Sequence, residues 1–338
     1  MPWRKTNDPY RIWVSEIMLQ QTRVDTVIPY YQRFLDAFPT VHDLATADRQ
    51  EVLKLWEGLG YYSRARNLQD AAQTVSRELN GQLPDSYKDI LKLKGIGPYT
   101  AAAVLSIAFD KPYAVVDGNV LRVLTRFYGI EDDIRRQSTK NLVQKLADEI
   151  IDREHPGDFN QAIMELGATV CTPSRPECWN CPLAAECIAN KTASTGQIPF
   201  KSPRKKTPHH HIGVGLIRNQ SGHLLIALRP EEAMLGGLWE FPGGKKKPNE
   251  NIKDTVKREL KEELGCMVTL EKELMVVKHA YSHFRITLHA WWCRLSPDSP
   301  DPSPRSSQQI RWVKPSDLSN YPFPKANKVL TEKVMKMR

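Results

Sequence analysis

The sequence is 338 residues long, which exceeds one average domain and suffices for two domains that each bury a core. Its formal net charge of +9 and pI near 9.2 suit a polyanionic partner such as nucleic acid. The chain has no apolar run of about 18 residues, and charged residues follow Met1-Pro2-Trp3-Arg4, which excludes a membrane span and a signal peptide. We therefore expect a soluble, intracellular, cytoplasmic protein of two domains.

The first predicted helix carries a carboxylate among apolar side chains. Residues 9–22 have helical spacing, which places Trp13 and Glu16 on one face. Desolvation by Trp13, Ile17 and Met18 would raise the pKa of Glu16 and let it hold a proton near neutral pH. From these residues alone, an exposed Glu16 in a surface ion pair is the favoured interpretation.

Helical spacing continues to about residue 170, for instance at Ala101, Val104, Leu105 and Ala108, so residues 1–190 are predicted to form an all-α domain. Within it, Tyr61 follows Gly58-Leu59-Gly60. An aromatic residue at such a place is more often part of a core, but its glycine-flanked loop favours an external contact.

Gly95 and Gly97 lie between two predicted helices, and Pro98 suits the first position of the second helix. The glycines allow a tight hairpin whose bare N–H groups can bind a phosphate without reading base sequence. A plain helical turn explains this hairpin equally well when it is taken alone. About 20 residues further on, Asp117 precedes Gly118 and can cap the helix that starts there.

Four of the six cysteines are crowded into 17 residues, with the spacing Cys-x6-Cys-x2-Cys-x5-Cys: Cys171, Cys178, Cys181 and Cys187. Their thiolates can converge on one centre. A chain this long needs no disulfide scaffold, so the run indicates a metal site in a reducing compartment. Both a structural zinc ion and a four-iron cluster use four cysteines in a short segment.

Residues 191–211 contain three prolines, the basic run Arg204-Lys205-Lys206 and no apolar period, and are predicted to be a linker. His209-His210-His211 are interpreted as solvated linker residues rather than metal ligands. The second domain, residues 212–338, is predicted to be α+β. Its predicted elements are strands at 212–217, 224–228, 275–278 and 284–293 and one amphipathic helix at 252–264.

Residues 244–266 resemble the Nudix pattern, with Cys266 in place of an aliphatic residue at the last position. In a Nudix hydrolase this helix would aim Glu259, Glu262 and Glu263 at Mg²⁺. Further on, Tyr281-Ser282-His283 taken alone is predicted to be a hairpin turn.

The hairpin, Asp117 and the cysteine run together resemble the endonuclease III superfamily of helix-hairpin-helix DNA glycosylases. Residues 9–22 are similar to its MutY-type adenine glycosylases, which end in a Nudix-like domain. The resemblance implies a multidomain chain with one 4Fe-4S cluster on Cys171, Cys178, Cys181 and Cys187. Members usually have about one further helix before Pro2, so we expect Met1 to be a late start or a truncation.

The resemblance also implies four catalytic positions: Glu16, Tyr99, Asp117 and Asn119. Glu16 would protonate adenine and help to activate water, and Asp117 would stabilise the oxocarbenium-like sugar electrostatically or covalently. Asn119 would orient these groups. Tyr99 stands where endonuclease III-like enzymes carry a Schiff-base lysine, which implies a glycosylase without strand-cutting activity.

The remaining implied contacts lie on DNA. Gln21 and Tyr61 match positions that probe and wedge the duplex, since chemistry on a duplex base requires flipping. Gly95 and Gly97 would hold a phosphate, and Tyr281-Ser282-His283 would contact 8-oxoguanine.

We therefore expect a monomeric repair enzyme that removes adenine opposite 8-oxoguanine or guanine in double-stranded DNA and associates with the nucleoid when bound. Three alternatives stay open. They are Nudix hydrolysis of an oxidised nucleotide with Mg²⁺, an endonuclease III-like glycosylase/lyase, and a lesion-binding protein without catalysis.

Overall fold

The computed structural model describes residues 1–203 and 207–337, which divide into two units. The first combines Met1–Thr46 with the described part of Asn67–Arg204. The second combines Ala47–Arg66 with the described part of Lys205–Arg338.

The α-helices of the described residues are, in chain order, α1 Pro9–Leu19, α2 Val24–Ala37, α3 Val41–Thr46, α4 Arg49–Trp56, α5 Ser63–Glu78, α6 Tyr87–Ile90, α7 Pro98–Phe109, α8 Gly118–Tyr128, α9 Gln137–Ile150, α10 Pro156–Thr169, α11 Ile188–Lys191, α12 Ile252–Leu264 and α13 Lys325–Met335. Short 3₁₀ helices span Pro2–Lys5, Cys178–Asn180 and Pro315–Asn320. The strands are β1 His209–Ile217, β2 Leu224–Leu228, β3 Trp239–Glu240, β4 Gly243–Lys245, β5 Val268–Ala280, β6 Arg285–Leu295 and β7 Gln309–Val313.

In the first unit, α1 packs on α7, and α10 packs on both α7 and α8. Asp8 starts α1 by accepting hydrogen bonds from the backbone N–H groups of Tyr10 and Arg11. Small residues bring the other helices close together. A Cβ at Gly167 of α10 would lie 2.6 Å from the Cβ of Asn119, so glycine permits α10 to press on the start of α8.

The second unit contains two sheets, ordered β4-β1-β6-β5 and β3-β2-β7. Strand β1 runs parallel to β6 and antiparallel to β4. On one side of the first sheet, α12 contributes Val256, Leu260 and Leu264 to a buried cluster. On the other side, side chains of the second sheet and of α13 form the larger core. The second unit is therefore a layered α+β fold.

These observations confirm the predicted fold class of a helical domain followed by an α+β domain. Strand β2 and helix α12 have the predicted bounds. Strand β1 differs from its prediction because it begins at His209, which pairs with Arg285 of β6. His209-His210-His211 therefore lie in a strand and not in the predicted linker, whereas Arg204-Lys205-Lys206 lie outside the described residues.

Other features have no counterpart in the sequence prediction. Strands β3, β4 and β7 and helix α13 were not predicted, and Ala47–Arg66 joins the second unit although it lies within the predicted glycosylase domain. None of the helices in the described ranges combines the length and the apolar character that crossing a membrane requires.

Candidate active site

Helices α1, α7, α8 and α10 surround a cavity of about 500 Å³ in the first unit. Its lining includes all four positions that the sequence resemblance implies to be catalytic: Glu16, Tyr99, Asp117 and Asn119. It also includes residues that the resemblance did not mark, among them Trp3, Arg4, Gln161 and Glu165. Glu16 and Asn119, which lie 103 residues apart in the sequence, thus line one cavity. We take this cavity as the candidate active site.

Glu16 lies on the inner face of α1 and its side chain is buried, with 5% of the residue exposed. The hydroxyl of Tyr99 donates a hydrogen bond of 3.0 Å to its carboxylate. Burial raises the pKa of Glu16 to about 7, and the charge of Asp117 adds to this rise, whereas the Tyr99 hydrogen bond and Arg4 oppose it. Glu16 can therefore hold and release a proton near neutral pH.

Asp117 is the N-cap of α8, as the sequence allowed. Its Oδ1 accepts hydrogen bonds from the backbone N–H groups of Asn119 (2.8 Å) and Val120 (2.7 Å), and its Oδ2 accepts one from the Asn119 side chain (2.9 Å). Burial raises the pKa of Asp117, and these three donors oppose that rise. They also fix the direction of the carboxylate toward the cavity that Glu16 lines.

A polar chain continues from Asp117 into the cysteine region. Asn119 Oδ1 accepts a hydrogen bond of 3.0 Å from Arg122, whose Nε donates to the carbonyl of Cys171 at 2.7 Å. Arg122 also bonds the carbonyl of Gly167 at 2.6 Å. The sequence did not predict that Arg122 links Asn119 to Cys171. The one signal for it is the position of Arg122 three residues after Asn119 on the same helix.

Sequence reasoning also missed the polar side of the cavity. Arg4 donates hydrogen bonds to the carboxylate of Glu165 and, at 3.3 Å, to the carbonyl of Gln161. Gln161, Met164, Glu165 and Ala168 line the cavity from one face of α10. Their spacing of three and four residues was the available signal.

A second cavity of about 970 Å³ lies on the other side of Tyr99 and Asp117, and Gln21, Gly95 and Gly97 line it. Gly95 has a φ of +83°, and a Cβ there would lie 2.7 Å from the Cβ of Asn67. Gly97 is the N-cap of α7 and offers no side-chain cap to the first N–H groups of that helix. The predicted hairpin therefore has the geometry of an anion-binding helix start.

In the second unit, Tyr61 and Ser282 are hydrogen-bonded through their hydroxyl groups although 221 residues separate them. Tyr61 has a φ of +48° and follows Gly60, whose φ is +75°. Ser282 lies in the exposed loop between β5 and β6, where Tyr281 N–H donates to the Phe284 carbonyl at 2.8 Å. The loop is thus a hairpin turn, and it brings two of the predicted DNA-contacting residues together.

The carboxylates of the Nudix-type helix are occupied by partners within the chain. Arg258 donates to Glu259 at 2.7 Å and to Glu262 at 2.9 Å. Glu263 accepts the N–H of Gly243 at 3.0 Å, and burial raises its pKa to about 8. A magnesium ion would have to displace Arg258 and would meet a Glu263 that is largely protonated at neutral pH.

All four cysteines of the run line one cavity, which Arg126 also lines. Within residues 1–203 and 207–337, no three His, Cys, Asp or Glu side chains are placed to hold a single metal ion. A zinc ion would require four thiolates about 2.3 Å from one point, whereas a four-iron cluster is larger and holds its thiolates further apart. Four thiols around a shared cavity supply the donor set that a four-iron cluster uses.

Comparisons with known proteins match two families, one after the other along the chain. The family model for HhH-GPD superfamily base excision DNA repair proteins matches residues 14–149, and the model for the NUDIX domain matches residues 213–333. The adenine DNA glycosylase of Mus musculus is 35% identical to this chain, over 92% of this chain and 71% of the relative. The chain belongs to the adenine DNA glycosylase family.

Other relatives of this adenine DNA glycosylase family member extend the comparison. The adenine DNA glycosylase of Arabidopsis thaliana is 37% identical over 84% of this chain, and the chain spans about half of that relative, 53%. A solved structure of a thermostable thymine-DNA glycosylase has a TM-score of 0.51 and 32% identity, and the match covers 57% of this chain and 88% of that one. The family resemblance drawn from the sequence is confirmed.

The hydrogen bond between Tyr99 and Glu16 gives this family member a testable pH dependence. If the form with protonated Glu16 is the active one, the single-turnover rate of base excision falls as the pH rises through the Glu16 pKa of about 7. The hydrogen bond from Tyr99 lowers that pKa, so Tyr99→Phe is expected to move the alkaline limb of the rate profile to higher pH. Single-turnover rates between about pH 5 and 9 measure the shift. An alkaline limb that moves to lower pH in Tyr99→Phe, or that does not move, would contradict the assignment of this limb to Glu16.

Proposed function

We propose that this chain hydrolyses the N-glycosidic bond of adenine mispaired with 8-oxoguanine or guanine in double-stranded DNA, acting as a monomer and leaving an abasic site. The observation that carries the proposal is the buried Glu16 carboxyl, with a pKa of about 7, beside a cavity that it shares with Asp117. Membership of the adenine DNA glycosylase family supports the substrate class.

In this proposal the flipped adenine enters the 500 Å³ cavity. Glu16 donates its proton to a ring nitrogen of adenine, which makes the base a better leaving group. The Asp117 carboxylate, oriented by Asn119, stabilises the positive charge that develops on the sugar as the bond breaks. Glu16, now ionised, accepts a proton from the water that attacks the sugar carbon.

Tyr99 bears on the product of the reaction. A strand-cutting glycosylase needs an amine that forms a Schiff base with the sugar, and a phenol cannot form one. The Tyr99 hydroxyl is instead engaged with Glu16. We therefore propose that the chain removes the base without cutting the strand.

The DNA contacts are assigned by position. Gly95 and Gly97 present backbone N–H groups to a phosphate, and Gln21 lines the same cavity. Tyr61 wedges the duplex, and Tyr281-Ser282-His283 contacts 8-oxoguanine. The hydrogen bond between Tyr61 and Ser282 supports a joint role for these two elements.

For the cysteine run we propose one 4Fe-4S cluster held by Cys171, Cys178, Cys181 and Cys187. The donor set and their common cavity support it. When bound, the cluster would cross-link the loop rather than take part in the chemistry, because base hydrolysis transfers no electrons. Arg122 supports a structural link from this loop to Asn119, since it bonds Cys171 and Asn119 at once.

For the Nudix-like domain we propose lesion recognition in preference to nucleotide hydrolysis. Hydrolysis would need carboxylates that are free to bind Mg²⁺, and Arg258 already holds Glu259 and Glu262. The raised pKa of Glu263 also disfavours Mg²⁺ binding, because a protonated carboxyl is a poor ligand for the ion.

The proposal is tested by excision of adenine opposite 8-oxoguanine, guanine and cytosine under single-turnover conditions. We expect the fastest excision opposite 8-oxoguanine, slower excision opposite guanine and very little opposite cytosine. Equal rates opposite all three bases would contradict the mispair assignment, and excision of a different base would contradict the substrate.

Ser282→Ala tests the lesion-reading loop separately. Losing one hydrogen bond of about 1 kcal/mol should reduce the preference for 8-oxoguanine over guanine roughly fivefold. Competition binding with the two duplexes measures the ratio. Ser221→Ala, in the turn between β1 and β2, is the matched control and should leave the ratio unchanged. An unchanged ratio in Ser282→Ala would remove this loop from lesion recognition.

A further inference from the structure

Arg126 of α8 is among the largest fully buried side chains of the described residues, with 2% of its surface exposed. Its guanidinium donates hydrogen bonds to four backbone carbonyls, two directly after the first cysteine of the run and two beyond its last cysteine, at distances between 2.8 and 3.1 Å: those of Thr172, Pro173, Thr195 and Ile198. One arginine therefore ties the start of the cysteine run to the segment that follows it.

Arg126 also contacts two of the thiols, one through its side chain and one through its backbone. Arg126 Nη1 lies 3.3 Å from the Sγ of Cys171, and the Sγ of Cys187 lies 3.4 Å from the Arg126 carbonyl. Arg126 also lines the cavity that all four cysteines share. It is thus in contact with the first and the last cysteine of the run.

Among the described residues, no carboxylate balances the charge of Arg126. Within the described ranges no Asp or Glu oxygen lies within 4.0 Å of its guanidinium, and its hydrogen-bond acceptors there are neutral carbonyls and a thiol. Arg122, a second cation, lies close enough to interact with it unfavourably. A buried cation without an anion nearby is strongly disfavoured, so this site requires a negative group.

Four cysteine thiolates with an iron-sulfur core supply that negative charge, because the thiolates outweigh the charge of the core. We propose that Arg126 is the counter-cation of the cluster and that it sets the cluster's reduction potential. This inference rests on the 4Fe-4S cluster assigned under the proposed function. One-electron reduction adds negative charge to the cluster, and a cation with an N–H on the Cys171 sulfur stabilises the reduced form.

The experiment uses the full-length, iron-loaded chain and compares Arg126→Gln, which removes the charge, with Arg126→Lys, which keeps it. Arg153→Gln, at an exposed position between α9 and α10, is the matched control. Iron and sulfide per chain are measured, followed by the midpoint potential of the one-electron couple at an electrode that supplies the electron. We expect the potential to become more negative in Arg126→Lys and more negative still in Arg126→Gln, with Arg153→Gln unchanged.

If Arg126→Gln loses the cluster, the charge argument predicts that Arg126→Lys retains more iron and sulfide. Loss in both variants to the same extent would overturn the inference, because it would show that shape and not charge is required. Full loading with an unchanged potential in Arg126→Gln would overturn it equally, while leaving the proposed function intact. A wild-type chain without iron and sulfide would instead overturn the proposed cofactor and this inference together.

Discussion

Glu16→Gln is expected to slow adenine excision by orders of magnitude while preserving binding of the mispaired duplex. The substituted amide has nearly the shape of the carboxyl, and its oxygen can still accept the Tyr99 hydrogen bond. It cannot donate a proton to adenine in the way a carboxylic acid does. Loss of general acid catalysis should lower the single-turnover rate about 10²–10⁴-fold.

The measurement is single-turnover excision alongside binding of a duplex with adenine opposite 8-oxoguanine. Glu149→Gln is the matched control, because it removes an exposed carboxylate from α9 that pairs only loosely with Lys145 at 3.9 Å. We expect wild-type rates in that control. A Glu16→Gln rate within a few-fold of wild type would remove Glu16 from the chemistry.

Asp117→Asn is expected to lower the excision rate about 10²–10³-fold without unfolding the chain. Asparagine caps helices as well as aspartate does, so the start of α8 should be retained. What is lost is the negative charge that faces the developing positive charge on the sugar. Neutral asparagine therefore separates the electrostatic role of Asp117 from its structural role.

Thermal unfolding and single-turnover excision are measured on the same preparation. Asp8→Asn provides the control, because Asp8 caps α1 through the same two types of backbone hydrogen bond and does not line the cavity. Both variants should unfold close to the wild-type temperature, and only Asp117→Asn should lose activity. Equal losses of activity in both would assign the effect of Asp117 to helix capping alone.

The sequence could predict the catalytic helix but not the environment of Glu16. Helical spacing placed Glu16 beside Trp13 on α1, and the residues alone favoured an exposed side chain. Its burial depends on Tyr99, which lies 83 residues away, and on the packing of α7 and α10. Such long-range contacts leave no periodic signal in the chain, so only the family resemblance pointed to the acid.

Local patterns were most reliable where a single element decides the structure. Helix α12 has the predicted bounds because its apolar residues repeat on one face. Asp117 caps α8, as its position directly before Gly118 predicted. The start of β1 was wrongly predicted as linker. Its histidines are polar and adjoin a proline-rich stretch, and only the parallel pairing of β1 with β6 makes them a strand.

The arginines of α8 show a second limit of prediction from the sequence, which concerns buried charges. Arg122 and Arg126 would be expected at a surface from their charge, yet both are buried. Their partners include carbonyls and a thiol of the cysteine region, the carbonyl of Gly167 and the side chain of Asn119. The sequence contains each partner, but nothing in it relates the charges of α8 to the loop that follows α10.

The central claim, removal of adenine through Glu16 without strand cutting, is tested most directly by one assay. The chain is mixed in excess with a duplex that has adenine opposite 8-oxoguanine, and the products are analysed with and without alkali. We predict a single break at the adenine position that appears only after alkali treatment and forms about 10²–10⁴-fold more slowly in Glu16→Gln. No break after alkali, or strand cutting without it, would contradict the account.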